Sequence, residues 1–111
     1  MDVVEKRKWG ITHLHWKDDE IAIKTLIIFP GEYTSLQYHD KRDEFWYAVR
    51  KTKIVKDGKE ILLKKHGYEM IPRKLKHRII GVNNPSIITE ISYGEFSEDD
   101  IVRLKDKYGR A

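Results

Sequence analysis

Gln37, His39, Glu44 and His77 are the residues of this chain whose types and spacing suit metal chemistry. Gln37 and His39 stand two apart, so on a strand they project from one face. Glu44 follows the polar run Asp40-Lys41-Arg42-Asp43, which can turn the chain and lay the next strand alongside. His77 comes much later, after Pro72 and inside another alternating run. Two imidazoles, a carboxylate and an amide oxygen make a donor set for a borderline divalent cation: zinc, manganese, iron, cobalt or nickel. The chain has no cysteine, so any metal must be held by nitrogen and oxygen donors. The competing reading is a set of core or surface polar residues with no metal. A buried glutamate is costly by itself, however, and a bound cation would account for it.

Other charged positions have two readings each. Lys24 sits in an otherwise apolar strand, where it either meets solvent or points into a cavity toward a phosphate. Arg42, two residues before Glu44, could grip a phosphate bidentately. Arg103 and Arg110 could do the same if the C-terminal segment folds over the mouth of the fold; otherwise they pair with Asp99, Asp100 or Asp106. His13 and His15 share a strand face, as a second metal site or as a solvated edge. The basic run Arg73-Lys74-Leu75-Lys76-His77-Arg78 alternates, turning His77 inward and Lys76 and Arg78 outward. With no recognition helix or stacking platform beside it, nucleic acid is not expected as a partner.

The elements that must position these residues read as short strands. They cover Trp9 to Trp16, Ile21 to Phe29, Ser35 to His39 and Phe45 to Arg50, then Thr52 to Lys56 and Lys59 to Leu63 around Asp57-Gly58. Tyr68 to Ile71, Leu75 to Ile80 and Ser86 to Ser92 complete the set. Asp57-Gly58 is a type I′ hairpin signal, because both central positions need φ > 0. At the end, Ser97 with Asp100 three residues on resembles a capping box, which predicts one C-terminal helix. Eight or nine strands followed by one helix predict an all-β barrel or sandwich.

Length bounds the chain to one domain over 1–111. No apolar run approaches a membrane span and no secretory signal opens the chain, so a cytoplasmic, membrane-free protein is expected. The net charge of +4 is spread along the chain rather than blocked, as on a lysine-rich surface.

The pattern Gly31-x5-Gln37-x-His39-x4-Glu44, with Gly67-x4-Pro72-x4-His77, resembles the two motifs of cupins, small jelly-roll barrels. Gln37 replaces the first histidine of the usual His-x-His. The longer phrase Pro30-Gly31…Ser35-Leu36-Gln37-x-His39…Arg42-x-Glu44-x-Trp46 is similar to type II mannose-6-phosphate isomerases. So are Trp9-Gly10, Lys24, Ile71-Pro72…Lys76-His77-Arg78, Asn84-Pro85 and the ending Glu98 to Arg110. In many bacteria that domain is the C-terminal part of a bifunctional enzyme that also carries a mannose-1-phosphate guanylyltransferase domain.

The resemblance implies a jelly-roll barrel and a divalent metal on Gln37, His39, Glu44 and His77. It implies interconversion of mannose 6-phosphate and fructose 6-phosphate within the GDP-mannose pathway. Glu44 or Lys24 would serve as the base, and Arg42, Arg103 and Arg110 would hold the phosphate of the small-molecule substrate. Small cupins commonly dimerise, and Phe45, Tyr47 and Val49 would suit a homodimer face. The chain departs from the pattern at Lys51 and Lys74, which stand where the family has glycines, and no guanylyltransferase domain is expected within 1–111. That leaves a stand-alone isomerase, a sugar-phosphate or nucleotide-sugar isomerase of other specificity, or a non-catalytic sugar-binding module.

Overall fold

In a computed structural model, which describes residues 2–94, 97 and 99–106, the chain forms two antiparallel sheets. In chain order the strands are β1 (Val3–Arg7), β2 (Gly10–Lys17), β3 (Ile21–Ile28), β4 (Leu36–Tyr38), β5 (Arg42–Ala48) and β6 (Thr52–Lys56). They continue as β7 (Lys59–Leu63), β8 (Tyr68–Ile71), β9 (His77–Ile80), β10 (Ser86–Gly94) and β11 (Val102–Lys105). One sheet runs β1-β2-β3-β10-β5-β8 and the other β11-β4-β9-β6-β7.

Strand alternation decides which side chains meet between the sheets. On β3, Ala22, Lys24, Leu26 and Ile28 are buried, while Ile21, Ile23, Thr25 and Ile27 are only half-buried. On β5 the inward set is Arg42, Glu44, Trp46 and Ala48. Ile28, Trp46 and Ile88 of the first sheet pack with Ile54, Leu63 and Ile79 of the second in one hydrophobic cluster. The apolar half of this interior anchors the fold; the polar half, at the other end of the same strands, forms the site. Gly10 of the Trp9-Gly10 pair is fixed by a close approach: a Cβ there would sit 1.8 Å from the Ile27 carbonyl oxygen.

Two expectations about architecture are corrected. The sheets do not close into a barrel: among the described residues no ladder joins them, and β1 pairs only with β2. Val3, Val4, Glu5 and Lys6 on that edge strand are all exposed. With Val3 to Lys6 all exposed, β1 offers no alternation for a sequence reading to detect.

Among the described residues the predicted C-terminal helix is absent as well. Ser97 Oγ does accept a hydrogen bond from the Asp99 amide, and the Asp100 amide bonds the Ser97 carbonyl, but this makes a single turn. The Asp100 carboxylate is committed elsewhere, accepting from the Asp40 and Lys41 amides at 2.9 and 3.0 Å. The β-branched pair Ile101-Val102 then favours extension, and β11 pairs with β4.

The Asp57-Gly58 hairpin forms as expected, with φ of 50° and 79°. Lys51 is not among the positive-φ residues, so the turn after β5 is made without the family's glycine geometry. Lys74 is different: its φ is 68°, and its amide donates to the His39 carbonyl at 2.6 Å. A lysine in the left-handed region pays a steric penalty that glycine avoids. Lys74→Gly should therefore raise stability by about 0.5–1 kcal/mol, whereas Lys74→Ala, which keeps the Cβ, should gain nothing. Thermal unfolding of both variants checks this.

Candidate metal centre

Three strands bring the predicted donors together. His39 follows β4 directly, Glu44 is an inward residue of β5, and His77 opens β9 opposite Gln37. All three are buried, and one donor atom from each lies within 4.8 Å of the others. His39 Nε2 stands 3.5 Å and His77 Nε2 3.8 Å from the Glu44 carboxylate.

The hydrogen bonds set the tautomers. His39 Nδ1–H donates to the Asp100 carbonyl at 2.6 Å, and His77 Nδ1–H donates to the Leu75 carbonyl at 2.9 Å. Each bond leaves a lone pair on Nε2, facing Glu44, and fixes the ring as an outer-shell partner fixes a metal ligand. Burial holds both imidazoles in the neutral form. It lowers the pKa of His39 to about 4, with help from the Arg42 charge, and lowers that of His77 also.

Two lone pairs and a carboxylate thus converge; Arg42 Nη2 serves His39 Nε2, whereas buried His77 Nε2 has no hydrogen-bond partner among the described residues. Such an orphaned acceptor is expensive unless something positive sits before it. The residues present therefore fit a divalent cation held by nitrogen and oxygen.

Gln37 and His39 line one cavity, but Gln37 Oε1 accepts a hydrogen bond from Ser35 Oγ at 3.1 Å. Arg42 turns inward instead of reaching outward from a loop. Its Nε donates to Glu44 Oε2 at 3.1 Å, its Nη1 to the Ser97 carbonyl at 2.9 Å, and its Nη2 lies 3.3 Å from His39 Nε2. Lys24 points into the cavity, the second of its two readings, and Arg103 on β11 lines the opposite wall. Arg110 lies outside the described residues, as does Glu98.

Glu90 is the site residue that the sequence reading missed. The register of β10 sets it opposite Lys24 on β3 and opposite Trp46 on β5. Trp46 Nε1 divides its hydrogen bond between Glu44 Oε1 and Glu90 Oε1, each at 3.2 Å. Burial, reinforced by the neighbouring Glu44 charge, pushes the Glu90 carboxyl up to about 7. A signal existed: Glu90 falls on the inward parity of a strand whose other inward residues are Ser86, Ile88 and Ser92. An acidic residue at a core position announces a site, as Lys24 does on β3.

Residues 2–106 match the mannose-6-phosphate isomerase C-terminal family. The chain belongs to that family. It is 35% identical over 107 residues to the xanthan biosynthesis protein XanB of Xanthomonas campestris, covering 94% of this chain and 23% of that protein. It is 35% identical over 107 residues to the alginate biosynthesis protein AlgA of Pseudomonas aeruginosa, covering 94% of this chain and 22% of that one. A mannose-1-phosphate guanylyltransferase of Escherichia coli is 32% identical over 110 residues, with 94% and 23% covered.

The chain thus spans under a quarter of the length of these relatives. Among solved structures, KdgF from Halomonas sp. superimposes with a TM-score of 0.79 at 11% identity, covering 87% of this chain and 89% of that one. The capsular polysaccharide assembling protein CapF of Staphylococcus aureus gives 0.79 at 18%, covering 96% and 35%. These likenesses establish the fold alone. No helix among the described residues is long and apolar enough to cross a membrane.

Proposed function

We propose that this chain is a metal-dependent aldose–ketose isomerase interconverting mannose 6-phosphate and fructose 6-phosphate in the cytoplasm. The observation that carries the reading is the buried convergence of His39, Glu44 and His77 inside a family of isomerase domains. Gln37 would complete the donor set by turning its amide oxygen from Ser35. A divalent cation bound there, whether zinc, manganese, cobalt, nickel or iron, supplies charge that polarises the sugar oxygens and stabilises the developing enediolate.

The reaction moves one proton from C2 to C1 and one from O2 to O1, so a single buried acid–base group can serve both carbons. Glu44 is held by Arg42, Trp46 and Ser92, which suits a ligand better than a base. Glu90, poised near neutrality across from Lys24, is the better proton carrier, with Lys24 oriented to steady the oxygens. Arg103, from the opposite wall, would take the phosphate, and Arg110 would be its neighbour. The half-buried outward residues Phe45 and Tyr47, with exposed Val49, would form the face of a homodimer.

A coupled assay on chelated protein and on protein reloaded with each metal tests the proposal. Turnover should return with metal and fall at least about 100-fold in His77→Ala. No turnover with any metal, while mannose 6-phosphate still binds, would favour a sugar-binding module instead. Turnover of a different sugar phosphate or of a nucleotide sugar would keep the chemistry and change the substrate.

A further inference from the structure

The second cluster of metal-capable side chains lies on the other side of the same sheet. On β2, Gly10 and Thr12 face the interior, and Thr12 lines the cavity. His13 has the opposite parity. The β2–β3 register shifts between Leu14 and Trp16, so His15 is the extra residue of a bulge, and its ring also comes to the outer face beside Thr25. The two imidazoles lie with centroids 4.0 Å apart. Asp2, just ahead of the edge strand β1, reaches both: its Oδ1 is 2.9 Å from His13 Nε2 and 3.9 Å from His15 Nδ1.

We propose that Asp2, His13 and His15 form a second divalent-cation site, independent of the buried centre, that takes a borderline ion such as zinc. One donor atom from each residue lies within 4.8 Å of the others. Ligand atoms bound tetrahedrally at zinc's usual bond lengths stand about 3.4 Å apart, and the 2.9 and 3.9 Å separations to Asp2 bracket that value.

A fourth residue acts as an orienting partner. His15 Nε2 is 2.6 Å from Thr25 Oγ1, and with Nε2–H donating to that hydroxyl, Nδ1 keeps its lone pair toward Asp2. Both rings are partly open to solvent, so water can fill the remaining coordination positions, as in an exchangeable site. The ion would staple the start of β1, an edge strand whose one ladder among the described residues is with β2. Arg7 at the far end of β1 lines the cavity, so the staple would also steady one wall of the pocket.

Zinc stoichiometry by equilibrium dialysis is the test, with hydrogen exchange of the β1 amides as a second readout. The wild type should bind two ions and His77→Ala one. The His13→Ala/His15→Ala double variant should also bind one, while retaining the ion that His77→Ala loses. Asp2→Asn should weaken the outer ion at least about tenfold, and zinc should slow amide exchange across residues 3–7 in His77→Ala but not in the double variant. If the double variant binds as many ions as the wild type, or if Asp2→Asn leaves the affinity within twofold, the site does not exist. Failure of isomerase activity would leave this result untouched, because the readout is binding on the outer face.

Discussion

Glu44→Gln should lower the stability of the metal-free protein by about 3 kcal/mol, far more than an isosteric change normally does. The reason lies in what surrounds the carboxylate. Oε2 accepts from Arg42 Nε at 3.1 Å and from Ser92 Oγ at 3.4 Å, and Oε1 accepts from Trp46 Nε1 at 3.2 Å. A glutamine offers one oxygen and one NH₂, so at least one of these donors would meet another donor. The larger loss is the negative charge opposite the buried Arg42 guanidinium, since breaking a buried pair from one side leaves the remaining ion uncompensated.

Urea denaturation in chelator should therefore show Arg42→Met/Glu44→Gln more stable than Glu44→Gln alone. That is the non-additivity expected of two groups in contact. The same variant should lose zinc affinity at the buried centre by at least about 100-fold, more than outer-shell changes produce. A Glu44→Gln protein within 1 kcal/mol of wild type would mean that Arg42 does not depend on Glu44 for its burial.

Much of this was legible in the sequence where alternation was strong. The parity of Leu75 to Ile80 turned His77 inward, the Asp57-Gly58 pair fixed its hairpin, and the spacing of His39, Glu44 and His77 anticipated their meeting. What was not legible depends on partners distant in the chain. Ser97 and Asp100 have the residue types of a helix cap, yet the Asp100 carboxylate serves the amides of Asp40 and Lys41 about sixty positions away. A capping signature is local, and a tertiary acceptor site can claim the same side chain.

The sequence places Arg42 two residues before Glu44 as a phosphate grip, without saying which way its side chain turns. Its inward position follows from β5 beginning at Arg42 itself, which gives it the parity of Glu44 and Trp46. Glu90 has the inward parity of Ser86, Ile88 and Ser92, but a single carboxylate has no donor spacing that points to its partners. Only the register of β10 against both β3 and β5 reveals that Lys24 and Trp46 converge on it.

Glu90→Gln should reshape the pH dependence of both stability and turnover. In the metal-free protein the Glu90 carboxyl, raised from 4.5 to about 7, contributes stability that is fully present below pH 4.5 and is lost as pH rises through 7. His39, lowered from 6.5 to about 4, has the opposite sign: its contribution is present above pH 6.5 and is lost as pH falls through 4. Between pH 4.5 and 6.5 the two slopes oppose each other in the wild type.

Removing the Glu90 ionisation leaves the histidine slope alone, so Glu90→Gln should lose stability steadily as pH falls from 6.5 to 4. The stability difference between variant and wild type should shift toward the variant by roughly 3 kcal/mol from pH 4 to pH 8. If Glu90 also carries the proton between C2 and C1, turnover should fall about 10²–10⁴-fold, and the acid limb of the pH–rate profile should disappear with it. A purely structural Glu90 would change the stability curve and leave that limb in place. Parallel stability curves for the two proteins would instead mean that Glu90 binds the same protons folded and unfolded, its carboxyl unshifted by burial.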